Sequence, residues 1–186
     1  MSFRKSAPAP AERIRAAADK LFYAQGIRAV GVDSIAAEAG VSKRTLYNHF
    51  PSKDHLIAAY LTARFRHIAP SDAPAVEQIL GVFDRLERIF ASDKFRGCPF
   101  VNAVAEIGDP KHAANRIAIE FKEGRRRWFR SLLERLKVKD PDGLATQLAI
   151  LTDGAIATAL VRHDPAYARA ARAAAETLIK AAREPG

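Results

Sequence analysis

In the stretch VSKRTLYNHFPSKD, residues 41–54, hydrogen-bonding side chains are crowded into two helical turns. Lys43, Arg44, Thr45, Tyr47, Asn48 and His49 are polar, while only Val41, Leu46 and Phe50 are plainly apolar. A helix this polar gains little from burial, so its exposed flank is available for recognition. Arg44 can offer a bidentate fork to guanine, Lys43 suits a guanine or a phosphate, and Thr45 suits a base edge or a thymine methyl. Tyr47 and His49 have the reach of backbone phosphates. Lys53 adds positive charge beside the free N–H groups that open the next helix, which together make an anion site. The DNA-binding set is Ser42, Lys43, Arg44, Thr45, Tyr47, Asn48, His49 and Lys53. Lys43 and Arg44 sit in a first turn where the helix dipole disfavours cations, a cost that a polyanionic partner would offset.

The elements that must hold this flank outward are legible in VDSIAAEAGVSKRTLYNHF, which has helix-turn-helix spacing over residues 32–50. Ile35, Val41 and Leu46 supply the apolar contacts between the helices, and Ala36 lies where they cross. Gly40 occupies a turn that needs positive φ, which glycine adopts cheaply. Ser42 and Ser52 are N-caps for the helices that follow them, and Gly31 serves for the helix from Val32. Upstream, Ile14, Ala17, Ala18, Leu21 and Phe22 recur at helical steps from about Pro10, and Gly26 stops that helix. Downstream, helices fit 53–66, 74–91, 98–107, 111–137, 141–163 and 165–183, with no strand alternation of useful length. The fold class is therefore all-α: an N-terminal three-helix helix-turn-helix domain and a C-terminal helical bundle. The divisions are an arm over 1–10, a DNA-binding domain over 11–52, a connecting helix over 53–66 and a ligand-binding and dimerisation domain over 67–186.

Charge agrees with a nucleic-acid partner. The 186 residues carry a net +9. Residues 1–66 hold 11 Lys/Arg against 5 Asp/Glu, and the rest hold 19 against 16. Positive charge is thus concentrated beside the helix-turn-helix. An enzyme reading finds no glycine-rich phosphate loop, Cys-x-x-Cys or His-Glu-x-x-His, and the histidines are not paired at a metal-ligand spacing. No catalytic residue, metal site or cofactor is assigned. The single cysteine, Cys98, cannot form an intramolecular disulfide, so a cytoplasmic location is expected. No run approaches about 18 consecutive apolar residues, so no membrane partner is expected.

GIRAVGVDSIAAEAGVSKRTLYNHFPSKDHLI, residues 26–57, resembles the N-terminal signature of the TetR family of transcriptional regulators. Its Ile-Ala, Ala-Gly-Val-Ser, Thr-Leu-Tyr, His-Phe and Ser-Lys elements come in order, and the likeness covers roughly residues 12–66. The resemblance implies a homodimeric repressor that reads palindromic double-stranded DNA with the helix 42–49, places phosphates on Tyr47 and Lys53, and is released by a small-molecule effector. Many members carry Thr-Thr or Thr-Ser where this chain has Val30-Gly31, so the hydroxyl contact of that position is not assigned. RGCPFVNAVAEIGDP, residues 96–110, also resembles a segment of one TetR subgroup. The alternative is a helical adaptor or ligand-binding protein whose helix-turn-helix contacts protein.

Within the bundle, Leu144, Leu148, Leu151, Ala155 and Ala159 share one face, as do Ala171, Ala175, Leu178 and Ala182. These faces pack either within one subunit or across a dimer through helices 141–163 and 165–183, and the family resemblance favours the dimer. Ile117, Phe121, Trp128, Leu132 and Leu136 lie on one side of 111–137. Candidate effector-binding residues are Phe121, Trp128, Asn102 and Glu106, the last two at i and i+4 with a structural role as the stronger alternative. Lys122, Arg126 and Arg130 form a stripe read as a solvated face in preference to an anionic effector site.

Overall fold

A computed structural model describes residues 8–65 and 71–183. Among these residues the chain forms helices and no strands, in the order α1 Pro10–Gln25, α2 Val32–Glu38, α3 Lys43–His49, α4 Lys53–Arg64, α5 Ala75–Phe90, α6 Pro99–Ile107, α7 Ala113–Arg135, α8 Pro141–Arg162 and α9 Ala166–Arg183. The arm expected over 1–10 falls largely outside the described residues. The described residues gather into two compact units, one of residues 8–65 with 99–118 and one of residues 71–98 with 119–183. A division drawn at 66/67 from sequence does not anticipate that α6 and the first turns of α7 group with the N-terminal helices.

In the first unit, α1 packs against α2, α3 and α4, and α2 packs against α3. Its core is Ile14, Ala17, Ala18 and Phe22 with Ile35, Leu46, Leu56, Ile57 and Leu61. Arg64 fastens α4 to α1. It donates to both Asp19 oxygens, at 2.5 and 2.9 Å, and its guanidinium lies 4.2 Å from the Tyr23 ring centroid. Phe22 meets Tyr60 edge-on at 5.5 Å, and burial pushes the Tyr60 phenol well above the usual tyrosine range. Gly26 ends α1 with φ +92°, and a Cβ there would meet the Glu106 carboxylate at 2.9 Å. That close approach lets Glu106 Oε2 accept the Arg28 N–H at 2.9 Å and hold the α1–α2 loop against α6.

In the second unit, α5, α8 and α9 pack against one another. Leu144, Leu148, Ala155 and Ala159 of α8, with Ala171 and Ala175 of α9, are buried within this one chain. Six of the nine residues assigned to a dimer seam are thus part of the protomer's own core, while Leu151, Leu178 and Ala182 are half-buried. The reason is that α8 is apolar on more than one side, so periodicity cannot say which side turns inward. On the opposite side, Ile150, Gly154, Ala157 and Val161 are exposed at steps of four, three and four. α8 is long and apolar enough, by length and composition, to cross a membrane, although it holds no unbroken apolar run of that length. It is a core helix of this unit, one side packed on α5 and α9.

The stripe read as solvated instead pairs with α8. Lys122 Nζ lies 2.5 Å from Asp153 Oδ1, and Arg126 reaches Asp142 at 2.6 Å. Arg125, between them, lies 3.4 Å from Asp153 and 4.9 Å from the centroid of Phe121. Burial lowers the Arg125 pKa, and the Asp153 charge partly offsets that. Two acidic residues three turns apart on another helix leave no local trace beside the basic run.

Candidate nucleic-acid interface

The recognition helix α3 begins at a working cap. Ser42 Oγ accepts the Thr45 N–H at 3.0 Å and shares a hydrogen bond with Thr45 Oγ1 at 2.8 Å. Ser42, included among the DNA-contact residues, thus already serves α3 itself. Gly40 adopts φ +62° in the turn, and its carbonyl accepts from Arg13 of α1 at 3.4 Å. Behind the helix, Ile35 and Leu46 are fully buried and Val41 is half-buried. This arrangement fixes which side of α3 can face outward.

On that outward side, Lys43, Arg44, Tyr47, Asn48 and His49 are exposed and Thr45 is half-buried. Tyr47 is 40% exposed, high for so large a ring. The Arg44 side chain makes no hydrogen bond or ion pair among the described residues. Lys43 does: its Nζ lies 2.9 Å from Asp33 Oδ1 on α2. The Asp33 hydrogen bond, and then its charge, hold the Lys43 amine above the usual lysine range. Asp33 escaped the sequence reading because a pair ten residues apart meets only once the turn is folded. Lys53 is the first residue of α4, beside the cap in which Ser52 Oγ accepts the His55 N–H at 3.2 Å. At α2, Gly31 is an N-cap that offers no side-chain bond, and Val30 is buried, consistent with the missing hydroxyl.

The effector candidates divide between the units. Asn102 and Glu106 lie on α6 in the first, where Glu106 is occupied by the Arg28 N–H. Phe121 and Trp128 lie on α7 in the second, both half-buried, with Trp128 against the buried Phe129 at 5.2 Å. The inward aromatic of that turn is Phe129, which the sequence reading passed over for its neighbour.

Comparison with known proteins agrees with this geometry. The family model "Bacterial regulatory proteins, tetR family" matches residues 14–60, which contain α2 and α3. A Streptomyces avermitilis crystal structure, described as a candidate TetR transcriptional regulator, is 36% identical, with TM-score 0.83 over 96% of this chain and 100% of that one. SCO4454, a TetR-family transcriptional regulator from Streptomyces coelicolor, is 33% identical, with TM-score 0.82 over 94% of this chain and 97% of that one. The transcriptional regulator YjdC of Escherichia coli is 24% identical over 172 residues, spanning 88% of this chain and 90% of its own length. These relatives are regulators, not enzymes. With its exposed α3 and near full-length similarity to such proteins, the chain belongs to the TetR family of transcriptional regulators and carries a DNA-binding helix-turn-helix.

Proposed function

We propose that the protein is a homodimeric repressor that reads a palindromic operator with α3 of each subunit and leaves it when a small molecule occupies the C-terminal domain. The observation that carries this reading is the exposed polar flank of α3, braced from behind by Ile35 and Leu46. Arg44, unpaired in the free protein, is the base reader, and Tyr47 and Lys53 take phosphates. Thr45, Asn48 and His49 complete the flank. The second copy covers the open side of α8 at Ile150, Gly154, Ala157 and Val161, where small residues permit close helix approach. Palindromic DNA requires two readers about one helical turn apart. A ligand near Phe121 and Trp128 that favours a different spacing of the readers lowers DNA affinity by the linked amount. Such a protein works in the cytoplasm, where its DNA is.

The rival is an adaptor whose helix-turn-helix docks on protein. Salt separates the two. DNA affinity should fall linearly in log–log terms as salt rises, by about 0.9 per phosphate neutralised. An affinity for duplex DNA that ignores salt would defeat the proposal.

A further inference from the structure

Asp33 stands on the first turn of α2, in reach of the first residue of α3. Its Oδ1 and Oδ2 lie 2.9 and 3.1 Å from Lys43 Nζ. The two side chains are 74% and 53% exposed, so the pair adds little to folding. Its effect falls on how Lys43 meets DNA. A lysine at the end of a free four-carbon stem binds any phosphate within reach, on every sequence alike. Held by a carboxylate, the same ammonium is anchored on the α2 side and its charge is largely cancelled at a distance.

We propose that Asp33 is a specificity-determining residue: it withholds Lys43 from sequence-blind phosphate binding and leaves it as a directed donor to a base. The net effect is weaker binding to random DNA and a larger margin for the right sequence.

The test measures affinity against salt for the wild type, Asp33→Asn, Lys43→Ala and the double variant. One probe is a random-sequence duplex, and the other is a duplex selected by the wild type from a random pool. On random DNA, Asp33→Asn should steepen the log–log slope by about 0.9, one added phosphate contact. Its gain at about 50 mM salt should then exceed its gain at about 200 mM by about 3.5-fold. The selected duplex should gain less, so the ratio of selected to random affinity falls. With Lys43→Ala present, Asp33→Asn should no longer change the slope. An unchanged slope in the single variant, an equal gain on both duplexes, or the same steepening without Lys43 would each overturn the proposal.

Discussion

Replacing Ile150 by glutamate separates folding from assembly. Ile150 is 65% exposed and Val161 is 77% exposed, about three helical turns apart on one side of α8. In an isolated protomer such an open position tolerates a charge, and the effect on stability should stay within about 0.5 kcal/mol. In the proposed dimer the same position is covered. Fully burying an isoleucine is worth about 1.5–3 kcal/mol, so the open two-thirds of Ile150 supplies about 1–2 kcal/mol per protomer. Two-fold symmetry counts it twice, about 2–4 kcal/mol, and an unpaired carboxylate in an apolar seam adds to the loss. At about 1.4 kcal/mol per tenfold, the Ile150→Glu dimer should dissociate at least about 30- to 700-fold more readily. Sedimentation velocity over a dilution series measures this, with thermal melting of the monomer as the control. An Ile150→Glu protein that melts normally and dimerises as tightly as the wild type would refute the assignment of this side of α8.

Other substitutions test the reader and its supports. Arg44→Ala should cost about 1–3 kcal/mol of binding per recognition helix and relax base preference; fluorescence anisotropy reads this, with an unchanged melting temperature. Tyr47→Phe should weaken binding across all sequences while the preference is kept, as a lost phosphate contact requires. Leu46→Ala empties a fully buried position behind α3 and should destabilise the protein by about 2–5 kcal/mol in urea unfolding. Glu106→Ala removes the acceptor of the Arg28 N–H, an exposed hydrogen bond, and should cost about 0.5–1.5 kcal/mol, seen as faster amide exchange in the α1–α2 loop.

The helix ends were legible because their signals are local. Ser42 and Ser52 cap the helices expected of them, and Gly26 and Gly40 adopt positive φ where turns were expected. The outward side of α3 was legible for the same reason: few apolar residues leave one way for it to turn. Interactions between distant segments were not. Glu106 and Arg28 are 78 residues apart, and Lys122 and Asp153 are 31 apart. One sequence holds no record of such pairings. α8 shows the further limit, since apolar residues on several sides leave its inner face undetermined until α5 and α9 are packed on it. Trp128 and Phe129 lie about 100° apart around α7, both are apolar, and packing turns Phe129 inward.

Footprinting of the purified protein on its own promoter region tests the central claim most directly. The account predicts two protected half-sites centred about 10 base pairs apart and related by a two-fold axis, the protection weakening as salt rises. Unprotected DNA throughout, even at low ionic strength, would contradict it.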